Sequence, residues 1–241
     1  MSGATHVRYE ILRTFRNPRR LAATLALPLV VFYSIAGGNR HATTAGISFP
    51  LYFMAAMAAY GAMFATVSTG GHLAVDRSVG WTRQLRITPL RVRTEIAAKV
   101  LAAYLVALPT LAVVFVAGVT LRVHLDAAQW LEMTGLLLVG LAPFVLIGLV
   151  LGHLVSGDAL VPAVGGLVVV FALFGGVFGS FFDGAMLTFT KLLPSYWLAH
   201  AGKAALVSGD WPAEGWIVVA LWTVVLVVVA TFAHRRDTGR V

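Results

Sequence analysis

Long apolar runs separated by short polar intervals organise this chain, and the longest strongly polar interval, DRSVGWTRQLRITPLRVRTEIAAK at 76–99, divides them. A helix needs roughly 20 apolar residues to cross a hydrocarbon core of about 30 Å. The runs at 21–36, 48–75, 96–121, 130–155, 159–181 and 216–233 therefore predict six transmembrane helices. Only Ser156, Gly157 and Asp158 separate the fourth run from the fifth, which predicts an antiparallel hairpin. Arg122 to Asp126 caps the third.

Two further intervals carry helical patterning without the length to span. Over 7–20, Val7, Ile11, Leu12 and Phe15 fall on one arc of a helix, with Glu10, Arg13 and Asn17 opposite and Arg8 beside them. That pattern predicts a helix lying in the membrane interface; the alternative is a basic flank that only orients the protein. Over 182–215, two apolar pieces are separated by Pro194 and dotted with Lys191, His200 and Lys203. Backbone that turns at membrane depth survives only under protein cover, so the expectation is two short helices forming an outer re-entrant hairpin that includes Pro194 and Trp197. The alternative is an interfacial loop held by Trp197, Trp211 and Trp216.

The fold class that follows is an all-α polytopic membrane protein, a single domain over 1–241. Its parts are an interfacial helix (7–20), two spans (21–75), a cytosolic loop (76–95), three spans (96–181), the outer hairpin (182–215) and a last span with a cytosolic tail (216–241). Composition agrees: 59% of residues are hydrophobic and 12% charged, against about 25% charged in soluble domains. The absence of Cys removes disulfide and thiol chemistry.

Charge distribution sets the orientation. With the N-terminus inside, fourteen of the eighteen Lys and Arg residues fall on inner segments and four, Arg40, Arg122, Lys191 and Lys203, on outer ones. The positive-inside rule then places both termini in the cytosol. Membrane orientation accounts for the net charge of +8, leaving nucleic acid no role as a partner.

Catalytic patterns are missing from the sequence. Gly202 and Lys203 are followed by Ala204 and lack the upstream glycine of a phosphate-binding loop, so the chain does not bind ATP that way. The seven His residues stand at no metal-ligand spacing. Charge within the spans is nearly absent, and His72, His153 and Asp158 read as satisfied helix termini. Ion-coupled transporters place a titratable group in mid-span, so the energy source is expected outside this chain. Gly148 with Gly152, and Gly175 with Gly179, form two GxxxG pairs read as packing within the bundle. Pro28, Pro109, Pro143 and Pro162 can kink their helices.

Within the central loop, Trp81, Leu85 and Thr88 fall at i, i+4 and i+7, with Arg83 and Arg86 beside the stripe and Pro89 as the stop. A short amphipathic helix of this kind can seat in a groove on a partner. A solvated basic loop would explain the Arg residues but not the helical spacing. Glu95 and Lys99 form an i, i+4 pair at the start of the third span.

The acidic-Arg pair at 76 and 77, Gly80, and the run Leu85-Arg86-Ile87-Thr88-Pro89-Leu90 resemble the loop of ABC-2 type (type V) ABC transporter permeases, particularly the actinobacterial drug and antibiotic efflux branch. The resemblance extends over essentially the whole chain. It implies a multi-pass bacterial plasma-membrane permease that pairs with a second protomer, as a homodimer, and with two copies of a separate ATPase. That ATPase would carry the ATP and Mg; this chain itself would bind no cofactor and catalyse nothing. Val79, Gly80, Trp81, Arg83, Gln84, Leu85, Arg86, Thr88 and Pro89 would match the coupling helix, and Arg8, Ile11, Leu12 and Phe15 the connecting helix. Ser78 and Arg83 depart from the acids many members carry there. The implied function is export of a hydrophobic or amphipathic molecule (drug, antibiotic or lipid) in contact with membrane lipids. The other classes are a non-transporting anchor or sensor that recruits a cytosolic partner, and an ion-coupled secondary transporter.

Overall fold

The structure, a computed structural model, describes residues 18–44, 46–78, 92–179, 183–204, 206 and 211–238, with the backbone alone at 18–23, 92–95 and 234–238. The chain is helical apart from one small antiparallel pair among the described residues, β1 (Thr43–Thr44) with β2 (Ile47–Ser48), in register Thr43 to Ser48. This pair follows α1 (Pro18–Gly38) and leads into α2 (Phe49–Gly71), where Pro50 occupies the first turn and needs no hydrogen-bond acceptor there. A one-residue joint at His72 continues α2 into α3 (Leu73–Ser78).

The remaining helices are α4 (Val92–Thr120), α5 (Ala127–Gly140), α6 (Ala142–Leu154), α7 (Leu160–Phe174), α8 (Gly184–Lys191), α9 (Pro194–Ala204) and α10 (Ala213–Thr238). Four helical stretches are long and apolar enough to cross a membrane: Phe49–Ser78, Ile96–Thr120, Ala127–Leu154 and Ala213–Ala233. The other two expected spans have shorter apolar helices, Thr24–Gly38 and Leu160–Phe174.

Glycine stereochemistry explains why the fifth run stops at Phe174 rather than at 181. Gly176 takes φ +65°, letting the chain fold back so that Val177 N–H donates to Ala172 C=O at 3.0 Å and Gly176 N–H to Leu173 C=O at 3.2 Å. These two bonds close the helix end in a Schellman turn. Helix α4 ends in the same way, with a non-glycine residue in the left-handed position: Arg122 has φ 62°, and Val123 N–H reaches Gly118 C=O at 3.1 Å.

Helix α2 is the hub. Seventeen of its 23 residues are buried, so it turns no wide face outward; α1, α4, α6, α7 and α9 surround it. Its composition permits this, because Ala and Gly let neighbouring backbones approach without a cavity. Gly61 receives Pro28 of α1 and Thr110 of α4, which lie 3.2 and 3.3 Å from where a Cβ would stand, closer than ordinary van der Waals contact. Helix α10 is the opposite case. Only 17% of its most apolar window is buried, against 78% for Phe49–Ser78, and it leans on α6 and α9 at the periphery.

Close backbone contact between α2 and α6 fixes the centre. A Cβ at Gly148 would stand 2.5 Å from Val67 O, and one at Gly70 would stand 2.7 Å from Val145 O. Gly152 is pressed against Leu73 in the same manner. The Gly148–Gly152 pair thus packs within the bundle, as expected. Gly175 abuts Ser195 of α9, whereas Gly179 lies beyond the end of α7 with φ +132°, so this second pair makes no helix seam.

The run at 130–155 lies on the single apolar stretch Ala127–Leu154, interrupted at Leu141, where the expected kink falls: Pro143 lacks the N–H that would continue the ladder, and α6 restarts with Phe144 N–H donating to Leu141 C=O at 3.0 Å. Helix α5 then packs on α9 while α6 packs on α2 and α10. One other expectation needs correction. The connection at 155–159 is as short as predicted, yet α7 lies chiefly against α2 rather than pairing with α6 as a hairpin. The glycine face of α6 is already occupied by α2, and Leu160 of α7 closes on Gly71.

Candidate functional site

The two ends of α2 carry different polar chemistry. Tyr52 and Gly71 are separated by nineteen residues of helix, a rise of about 29 Å, close to the thickness of a hydrocarbon core.

At the C-terminal end, α3 presents Asp76 and Arg77 in opposite roles. Asp76 is 1% exposed, and its Oδ2 accepts from Lys99 Nζ of α4 at 2.8 Å. Lys99 is itself 6% exposed. Each charge neutralises the other where water is excluded, which is what makes burial of either tolerable. Arg77 turns the other way and donates through Nη1 to the carbonyls of His153, at 2.6 Å, and Gly152, at 3.3 Å. A cation there satisfies carbonyls that the end of α6 leaves free and complements the helix dipole. The 155–159 connection lies at the same end, because a Cβ on Gly157 would meet Ser78 Oγ at 2.9 Å.

Asp76 and Lys99 stand on either side of 79–91. Their contact joins the two ends of that segment, and Arg77 fastens one end to α6. The sequence reading missed this pair. Sequence spacing assigns Asp76 to the cytosolic loop and pairs Lys99, at the start of the third span, with Glu95, whose side chain lies outside the described residues. The available signal was an acid and a lysine facing each other across the loop, at the inner ends of adjoining apolar runs.

Val79, Gly80, Trp81, Arg83, Gln84, Leu85, Arg86, Thr88 and Pro89 lie outside the described residues, as do Arg8, Ile11, Leu12 and Phe15 of the N-terminal interval. The expected helix termini fare better: His153 Nδ1 sits 2.8 Å from Leu149 O, and His72 forms the joint between α2 and α3.

At the N-terminal end of α2, the interval expected to hold two short helices does so. Helix α8 ends before Pro194, and α9 begins with it. Helix α9 is buried along most of its length and is flanked by α2, α5, α7 and α10. Gly202 gives it close access to Ala55 of α2, and Gly140 of α5 receives Leu198. Trp197, 3% exposed, donates from Nε1 to Lys191 O at 2.7 Å, tying the two short helices together. Trp222 of α10 donates to Leu192 O at 2.8 Å. Lys203 reaches back to α2, where Nζ lies 2.8 Å from Tyr52 Oη and 4.1 Å from the ring centroid.

Among the described residues no group of His, Cys, Asp and Glu is arranged to hold a metal ion. No protein-family model and no solved structure matches the chain. It is similar to a Bacillus subtilis (strain 168) protein described as "Putative transport permease YvfS", with 24% identity over 236 residues covering 95% of each chain.

Proposed function

We propose that this chain is the membrane-spanning permease subunit of an ATP-driven exporter of the ABC-2 type, moving a hydrophobic or amphipathic molecule such as a drug, antibiotic or lipid. In this reading the apolar segments form six crossings of the bacterial plasma membrane with both termini in the cytosol, α1 and α7 crossing with help from their flanks. Two permease protomers, identical in the simplest arrangement, enclose the path among membrane lipids. Two copies of a separate ATPase, carrying ATP and Mg, supply the energy.

The observation that carries this reading is the clamp at the base of 79–91. A loop whose ends are joined through Asp76 and Lys99, and fastened through Arg77, is suited to pass force into three helices at once. The full-length similarity to a described transport permease supports the same conclusion. So does the lack of a phosphate-binding loop in the sequence.

Co-purification with the cognate ATPase tests it. Trp81→Ala and Leu85→Ala are expected to weaken that association by about tenfold or more, as loss of a buried interface anchor does, and to slow ATP hydrolysis by the complex. Unchanged association and unchanged hydrolysis in both variants would overturn the coupling assignment.

A further inference from the structure

The end of the bundle remote from the clamp collects cations that form no ion pair among the described residues. Lys203 makes its contacts to a phenol, to the ring beneath it, and at 3.5 Å to the Gly176 carbonyl at the end of α7. Those partners hold the ammonium in place without neutralising it. Among the described residues no carboxylate forms an ion pair with Lys203 or Lys191. Tyr196, His200 and Lys203 recur at i, i+4 and i+7, so they share one face of α9. The His200 ring stacks on Tyr196 with centroids 5.5 Å apart. Lys191, at the end of α8, is anchored beside this face through its carbonyl on Trp197. Burial lowers the pKa of His200, and the charges of Lys203 and Lys191 add to that lowering. Helix α8 and its end also expose apolar side chains, with Phe189 50% and Leu192 61% accessible.

We propose that Lys191, His200 and Lys203 form a recognition site for a single anionic headgroup, of phosphate or carboxylate type, whose attached acyl chain lies along Phe189 and Leu192. The His200 imidazole adds a hydrogen-bonding group on the helix face that carries Lys203. The exposed apolar surface selects an amphiphile over a fully soluble ion. This binding does not depend on the permease reading, and its test measures binding and not transport.

Full-length protein in detergent micelles is titrated with dioleoylphosphatidylglycerol, with dioleoylphosphatidylcholine, and with inorganic phosphate as competitor, and retained lipid is counted by native mass spectrometry. The wild type is expected to hold its tightest phosphatidylglycerol about tenfold better than phosphatidylcholine, the gain typical of a charge-assisted hydrogen bond. Lys191→Gln with Lys203→Gln should abolish that preference. Lys203→Arg should keep it, and Arg40→Gln, which removes a charge elsewhere, should leave it intact. Lys191→Gln alone serves if the double variant does not fold, with a several-fold loss expected. Inorganic phosphate in excess is expected to leave the lipid bound; its displacement of the lipid would assign the site to soluble anions and overturn the selection of an amphiphile. Equal retention of the two lipids by the wild type would overturn the proposal. So would an unchanged preference in the folded lysine variants, which would leave Lys203 only a contact between α9 and Tyr52.

Discussion

Lys99 Nζ lies 2.8 Å from Asp76 Oδ2 across 23 positions of sequence, with both side chains nearly inaccessible at 7% and 2%. A pair this deep is defined by what happens when half of it is removed. Asp76→Asn or Lys99→Met leaves one buried charge without its counter-ion, a cost of about 3–5 kcal/mol. The double variant removes both charges and should recover a large part of that loss. Thermal unfolding of the detergent-solubilised protein checks this. If the double variant is as unstable as the sum of the two singles, the pair is not coupled.

Backbone proximity between α2 and α6 makes a second prediction. A methyl at Gly148 would be forced to 2.5 Å from Val67 O and 3.0 Å from Val67 Cα, and both are backbone atoms that cannot rotate away. Gly148→Ala should therefore destabilise by about 1–3 kcal/mol, the usual cost of overpacking. Gly135, in α5, has nothing within 4 Å of a Cβ. Gly135→Ala should be neutral or stabilising by up to about 1 kcal/mol through helix propensity. Parallel melting curves of the two variants decide it; equal loss in both would contradict the assigned seam.

Arg122 closes α4 at φ 62°, a conformation that costs an L-residue about 1–2 kcal/mol and costs glycine little. Arg122→Gly should raise the stability by about 1 kcal/mol, the strain relieved at this position. A lowered melting temperature would show that the arginine makes up for its backbone.

His200 gives a pH dependence with a definite sign. Burial first, then the charges of Lys203 and Lys191, lower its pKa below the ordinary value of 6.5. The unfolded chain therefore binds a proton at a pH where the folded chain does not, and stability falls as pH drops below about 6.5 toward the lowered folded value. His200→Gln should flatten this part of the profile. Chemical denaturation at a series of pH values on both proteins is the measurement, and parallel curves would refute the assignment.

Apolar run length and the few punctuating residues made much of the architecture legible. The breaks at Pro194 and at Arg122 to Asp126, the two short helices before α10, and the internal role of Gly148 and Gly152 could all be read from local sequence. The candidate site was only half legible. Spacing placed attention on 79–89, which lies outside the described residues. The groups that the fold brings together at its base, Asp76 with Lys99 and Arg77 with the end of α6, are distant in sequence and carry no local signature. The stop at Phe174 was missed for a similar reason. Gly175 and Gly176 sit inside an unbroken apolar run, and only the left-handed backbone at Gly176 reveals the turn.

The sequence by itself determined that the chain is a set of apolar helices with a basic polar interval between the second and third runs, because helix length and hydrophobicity are properties of contiguous residues. Only the tertiary structure decided which helix is central, that α7 lies on α2 and not on α6, and that Asp76 of the loop and Lys99 of the third run lie buried against each other. Those outcomes depend on which small residues permit close approach and on how distant polar groups neutralise one another, and neither is encoded in any single stretch.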